Sequence, residues 1–329
     1  MIEIIKEKID YFKHLPQTTI VRMLVQICVV LASLVYISVI FADYLTTEKE
    51  IFAKTRSYSR LLKEHSERTL ESADLFGKSI VERINTHNVD QLSSNKMWSQ
   101  LRMEMSRFPQ VTNVVISDKN GNVILHSGQY PAPTINFTDR RYYYEHNDLG
   151  QDRYLGEIIL GRPLNNFVFS ISHRIADKKD NFDGIVLVGL SKDYFVNFYE
   201  KLNLPTGSVI GLFKTDGKLL VRIPFPETID YIPSDDIKIR LSSYDGSTIY
   251  SISPIDGVRR VITSFALEGY PAFVVVGIPH KAIFDEWVLR VLMYTLILGG
   301  WLLLLWLFAA ISNRTNNREK AKLFLLKQG

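Results

Sequence analysis

The stretches 113-NVVISDKNGNVILHS-127 and 208-SVIGLFKTDGKLLVRIP-224 decide how the middle of this chain folds. In each, two runs of alternating apolar residues flank an Asn-Gly or Asp-Gly pair, the residues that a tight hairpin turn with positive φ requires. Both read strand, turn, strand. Further on, 184-GIVLVGLSKDYFVNFY-199 matches 272-AFVVVGIPHKAIFDEW-287, and both read buried strand, glycine, short loop, amphipathic helix. The two pairs occur in the same order, which is the signature of an internal repeat. The fold class that follows is α+β, with two related modules in tandem, each built on a central antiparallel sheet.

Strand-like runs between these blocks fall at Val168–His173, Ser247–Ser251 and Arg260–Phe265, and further Asp-Gly turns are expected at Asp245-Gly246 and Asp256-Gly257. Upstream, Thr46 to Asn88 is polar, contains no Pro and holds the single Gly77. Leu61, Leu62, Leu70, Ala73, Phe76, Ile80 and Ile84 recur there at helical spacing. The spacing predicts one long N-terminal helix whose apolar stripe packs on the modules or on a second copy in a homodimer.

Two apolar runs bracket all of this. Met23–Ala42 is interrupted only by Gln26, Ser33, Tyr36 and Ser38, and Val291–Ile311 carries no charge. Each matches the roughly 20 residues a helix needs to cross a bilayer. A buried core helix rarely runs so long without a charge. A cleaved signal peptide would place Ile40 at the minus-three position, where a small residue belongs. Lys6, Lys8, Lys13 and Arg22 precede the first run, and Arg314, Arg318, Lys320, Lys322 and Lys327 follow the second. Positive flanks stay cytoplasmic. The expectation is a two-span protein of the bacterial inner membrane, with both termini inside and the modules in the periplasm.

The net charge of +4 is concentrated in those flanks and suits anionic lipid headgroups, not nucleic acid. Ile2–Leu15, with Ile2, Ile5, Ile9 and Phe12 on one face, reads as an amphipathic segment at the inner surface. The only cysteine, Cys28, lies in the first span, so the outside modules hold neither disulfide nor thiol chemistry. The seven histidines form no metal-ligand pattern. No nucleophile elbow or phosphate loop occurs, and Asp235-Asp236 read as solvated loop charges. No catalytic residue, metal or cofactor is expected in this chain.

One segment does carry binding chemistry. Arg140, Arg141, Tyr142, Tyr143, Tyr144 and His146 crowd a short helical stretch after the loop Pro131–Pro133. At helical spacing Arg140 shares a face with Tyr143 and Tyr144. An arginine offers a forked, permanently charged donor set for a carboxylate, and tyrosines add rigid walls with polar tips. Tyr154 and the strand residues Phe169, Ser170 and Ser172 are expected to complete the cavity. The bland alternative is that Arg140 pairs with Asp139 or Glu145 and that the tyrosines are ordinary core.

From Thr46 to Trp287 the chain resembles the double Cache (tandem PDC) extracellular sensor domain of bacterial receptors. The resemblance rests on DRRYYYEH (139–146), SISHRI (170–175), FDGIVLVGLSKDYFVNFY (182–199), LFKTDGKLLVRIP (212–224) and SPIDGVRRVITSFALEGYPAFVVVGIP (253–279). The variant is most similar to those on diguanylate cyclases and sensor histidine kinases, and chemoreceptors carry a more distant one. The resemblance implies two PAS-like (Cache) modules, of which the membrane-distal one binds a small molecule and the proximal one passes the change inward. It places Arg140, Tyr142, Tyr143 and His146 at the family's motif positions. Two departures stand out. Gly189 occupies the place of the aspartate that holds the ammonium of α-amino-acid ligands, and Ile135 that of a tyrosine five residues before Arg140. Both favour a carboxylate ligand without a fixed ammonium and disfavour an α-amino acid.

These readings divide the chain into a cytoplasmic segment (1–22), a first span (23–43), a periplasmic stalk helix (44–88), a distal module (89–204), a proximal module (205–287), a second span (288–312) and a cytoplasmic tail (313–329). They predict an input region that senses a small organic anion and signals through the second span to a cytoplasmic output such as a diguanylate cyclase, with a histidine kinase or chemoreceptor as the alternative. That output would be a missing or separate domain or partner, since 313–329 holds no GGDEF, kinase or methyl-accepting region. The competing reading is a non-catalytic envelope protein that binds another protein.

Overall fold

The computed structural model describes residues 17–86, 94–161, 167–224, 245–253 and 256–326. The expected amphipathic segment Ile2–Leu15, the end of the stalk at Asn88 and the loop charges Asp235-Asp236 lie outside the described residues, as do Lys6, Lys8, Lys13, Lys327 and the side chains of Lys320 and Lys322. The chain divides into two units: Ile51–His280, and Met1–Glu50 together with Lys281–Gly329.

Helix α1 spans Gln17–Thr86, 70 residues without a break. No proline falls inside it, and its single glycine, Gly77, sits where a Cβ would come within 2.5 Å of the His173 ring. The buried side of α1 within Ile51–His280 is the stripe Leu62, Leu70, Ala73, Phe76, Ile80 and Ile84. Leu61, expected in that stripe, is 43% exposed instead. Small hydroxyl residues let the helix sit close: Ser59 donates to the Thr263 carbonyl at 3.0 Å.

Two sheets follow, each with five antiparallel strands. The first comprises β1 (Val111–Asp118), β2 (Val123–His126), β3 (Arg153–Leu160), β4 (Phe167–Ala176) and β5 (Phe182–Ser191) in the order β2-β1-β5-β4-β3. The second comprises β6 (Val209–Lys214), β7 (Leu219–Ile223), β8 (Asp245–Ile252), β9 (Arg259–Ala266) and β10 (Ala272–Pro279) in the order β7-β6-β10-β9-β8. The two orders are the same pattern, so the sequence repeat is a structural repeat: β1-β2 corresponds to β6-β7, and β5 to β10. The chain is α+β, with a long N-terminal helix and two PAS-like modules.

Among the described residues three short helices lie between α1 and the last helix: α2 (Asn95–Met105), α3 (Arg141–Asn147) and α4 (Lys192–Glu200). Ser94 caps α2 by accepting from the Met97 N–H at 3.2 Å, and Ser191 caps α4 likewise. Helix α5 runs from His280 to Leu326, 47 residues. It occupies the place in the second repeat that α4 holds in the first.

The structure departs from the sequence reading in three elements. Helix α2 and strand β3 lie where neither was expected. The Asp245-Gly246 pair is the beginning of β8, not a hairpin turn. Gly246 has φ +80° at an irregularity in the β8–β9 register, where a Cβ would meet the Phe265 ring.

In the other unit, α1 and α5 each contain a segment long and apolar enough to cross a membrane. Leu24, Leu31, Leu34 and Val35 on α1, and Leu296, Leu304, Trp306 and Phe308 on α5, are more than half exposed. Such surface is costly in water and at home in lipid. Within this unit Arg290 donates from Nε to Asp43 Oδ2 at 3.0 Å and from Nη2 to Thr47 Oγ1. Tyr36 OH and Thr295 Oγ1 are 2.6 Å apart.

Candidate functional site

Strand register assembles one face of the first sheet. Asn113 opposes Gly189, Gly189 opposes Ser170, and Ser170 opposes Gly156. Directly opposed residues share a face, so this row across β1, β5, β4 and β3 carries nothing larger than an asparagine. The neighbouring row is Val115, Leu187, Ser172 and Tyr154. Over this face lies the segment that leads into α3. Phe137 and Tyr142 are buried in one cluster with Val115, Ile185 and Leu187, and Ile135, Tyr143, Tyr154 and Phe182 pack against it.

Helix α3 is held down by a relay. His146 Nδ1 faces the Gln151 carbonyl, which can only accept, so Nδ1 carries the proton and Nε2 accepts from Ser172 Oγ at 2.7 Å. Burial keeps this imidazole neutral by lowering its pKa. His146 and Ser172, expected to face a ligand, thus tie α3 to β4. Tyr143 donates to the Lys119 carbonyl at 2.7 Å, and burial raises its pKa.

Arg140 differs from the sequence expectation. It is the N-cap of α3, in an extended conformation (φ −95°, ψ 142°), so the helical spacing that would align it with Tyr143 and Tyr144 does not apply. Arg141 takes that geometry: it pairs with Glu145 at 2.7 Å and lies 5.0 Å over the Tyr144 ring on the exposed side. Glu145 is therefore engaged by Arg141. The Nε of Arg140 is buried and has no hydrogen-bond partner.

Phe169 does not belong to this face. Successive strand residues point to opposite sides, and Phe169 packs 5.5 Å from the Phe195 ring of α4, away from Ser170 and Ser172. The structure brings together Tyr142, Tyr143, Tyr154, Ser170 and Ser172 on the α3 side, with Arg140 at the start of that helix, and excludes Phe169.

Three residues escaped the sequence reading. Asn113 is buried, and a Cβ built on Gly189 would lie 1.9 Å from its Oδ1. A neutral amide from β1 therefore fills the place of a side chain at 189. An amide inside the run 111–116, with only Thr112 as another polar residue, was the available signal. Lys214 of β6 is buried, yet its Nζ lies 3.3 Å from Tyr154 OH and 3.8 Å from Glu157. Arg153, beside Tyr154, donates to Asp74 at 3.0 Å and to the Gly269 carbonyl at 2.6 Å. The Lys214 contacts and the Arg153–Gly269 bond join the two modules, the Arg153–Asp74 pair ties β3 to α1, and nothing in the local sequence of β3 announces them. Among the described residues no group of three or more His, Cys, Asp or Glu could hold a metal ion.

Residues 192–277 match the model of a family described as dCache_1_like, histidine kinase sensor domain. The extracellular domain of rpHK1S-Z16, assigned as a histidine kinase, superposes with a TM-score of 0.64 at 24% identity, covering 71% of this chain and 97% of that one. The fold is that of a double Cache sensor domain. The ligand-binding domain of the Campylobacter jejuni chemoreceptor Tlp3, solved with L-valine, superposes with a TM-score of 0.51 at 14% identity (73% and 97% coverage). The domain of the Pseudomonas aeruginosa PAO1 amino acid chemoreceptor PctB, solved with L-Arg, gives 0.54 at 15% (71% and 90%). No curated protein matches the chain. The module that holds Arg140 is the first of the two modules of this fold in chain order.

Proposed function

We propose that this chain is the input region of a bacterial inner-membrane receptor whose distal Cache module binds a small carboxylate. The observation that carries the reading is the buried, unpartnered Nε of Arg140 at the start of α3. A guanidinium whose donors are not met inside the protein is completed by an anionic acceptor, and a carboxylate fits its fork. The row Asn113, Gly189, Ser170 and Gly156 supplies a floor of low side-chain volume, and Tyr142, Tyr143 and Tyr154 supply the wall.

The L-valine and L-Arg complexes of the chemoreceptor domains make an α-amino acid the rival ligand. Gly189 and Asn113 argue against it here. An amide with a carbonyl oxygen can accept from an ammonium, but it brings no charge to hold one. The placement of the module in the periplasm, with both termini cytoplasmic, is supported by the two apolar helices and their basic flanks. Helix α5 follows β10 directly and is the route by which a change in the proximal module would reach an output. The histidine kinase family model favours a kinase output over a cyclase.

The test is a thermal-shift screen of the chain in detergent against small carboxylates, amino acids, amines and sugars. Selective binding to the folded state raises the melting temperature. A carboxylate hit that disappears in Arg140→Ala supports the reading. A hit confined to amino acids, or one indifferent to Arg140→Ala, refutes it.

A further inference from the structure

Beside the edge strand β2, a cavity of about 190 Å³ lies between α2 and the loop 129–132. Trp98, Leu125, His126, Tyr130, Pro131 and Ala132 line it, and no residue of the Arg140–His146 segment does. Its volume exceeds the roughly 150 Å³ of an apolar cavity that admits benzene. The Trp98 and Tyr130 rings stand 5.7 Å apart, and with Leu125, Pro131 and Ala132 they give the cavity an apolar side, beside the polar Ser94, His126 and Gln129.

Two of its polar groups are donors without an acceptor. The indole N–H of Trp98 is buried and has no acceptor. His126, 1% exposed, accepts at Nδ1 from the Gly128 backbone N–H at 3.1 Å. In the neutral ring the proton must then sit on Nε2, and that N–H is also buried without a partner. Two residues of one cavity each hold an unanswered donor, and buried donors of this kind are costly to leave unpaired.

We infer that this cavity is a second ligand site of the distal module, taking a ring-sized, partly apolar molecule that presents a carboxylate or carbonyl oxygen to the donors of Trp98 and His126. The apolar lining takes the body of the ligand, and its oxygen answers the two N–H groups.

The full chain in lipid nanodiscs, labelled with ¹⁵N-tryptophan, is titrated with benzoate, benzamide and benzylamine, which share a ring and differ in the polar group. The Trp98 indole signal is assigned by its loss in Trp98→Phe. Benzoate and benzamide are expected to shift it saturably, and protonated benzylamine, which brings no acceptor, is expected to leave it in place. His126→Leu should weaken the benzoate response at least tenfold. His126→Gln, which keeps an N–H donor and guards against misfolding of the leucine variant, should hold it within about threefold, and Arg140→Ala should not change it. A Trp98 signal that ignores benzoate, that responds equally to benzylamine, or that loses its response in Arg140→Ala overturns the inference.

Discussion

The ammonium of Lys214 lies 4.7 Å from the centroid of the Tyr154 ring and 3.3 Å from its hydroxyl, so a buried cation of the second module is in contact with a wall of the first module's candidate site. Tyr154 donates in turn to Glu157 at 2.9 Å, and Lys218 closes the other side of that carboxylate at 3.0 Å. Burial, followed by the charge of Glu157, pushes the Tyr154 phenol well above its ordinary pKa, so it remains a neutral donor. A ligand that moves Tyr154 moves the partner of Lys214.

This contact predicts energetic coupling between the modules. A double-mutant cycle with Lys214→Met and Tyr154→Phe, which removes the hydroxyl and keeps the ring, should give an interaction of about 1 kcal/mol, in the range of one hydrogen bond. Each single variant should cost about 1–2 kcal/mol. Additive losses, read by thermal unfolding, would show that the two side chains are neighbours without being coupled.

The fold was largely legible before the structure, and the site only in part. The hairpins at Asn120-Gly121 and Asp216-Gly217 are specified by local turn chemistry, and the pairing of β1 with β2 and of β6 with β7 follows. Strand β3 was missed because Gly156 and Glu157 break the apolar run of RYLGEIIL, at the point where its register with β4 shifts. Phe169 was misplaced because a strand buried on both faces does not announce which parity faces the site, and adjacent Phe169 and Ser170 cannot both face it. Asn113 and Lys214 act through strands distant in sequence, and no local pattern records that.

Asn113 and Gly189 give a second prediction. Gly189→Asp should destabilise the chain by about 2 kcal/mol or more, because its Cβ has no room beside Asn113 Oδ1. Asn113→Gly combined with Gly189→Asp should recover much of that loss. Thermal unfolding of the pair checks it, and a harmless single variant would contradict the packing described.

The buried histidines predict acid sensitivity. Burial lowers the pKa of His65 and of His173 to about 4, against an ordinary 6.5, and it lowers that of His146 as well. The folded state therefore binds fewer protons than the unfolded state between pH 6.5 and 4. Its stability is complete above 6.5 and falls as pH drops through that window, by up to about 1.4 kcal/mol per pH unit for each histidine. His65 stacks 3.6 Å from Phe198. His65→Phe should flatten part of the decline, as measured by melting temperatures from pH 7 to 4.5.

In the apolar unit, Arg290 is expected to clamp α1 to α5 through Asp43. Arg290→Asp alone should lower the melting temperature in detergent, and Asp43→Arg added to it should restore most of the loss. The pair is partly exposed, so the effect is expected near 1 kcal/mol and should weaken at high salt. A double variant no better than the single one would remove the clamp from the account.

The central claim is that Arg140 holds the carboxylate of a small ligand. Isothermal titration of the screen's best carboxylate into the chain and into Arg140→Lys and Arg140→Ala tests it most directly. The account predicts measurable binding to the parent, a tenfold or greater weakening in Arg140→Lys, where the fork is lost and the charge kept, and no detectable binding in Arg140→Ala. Equal affinity in all three would contradict it.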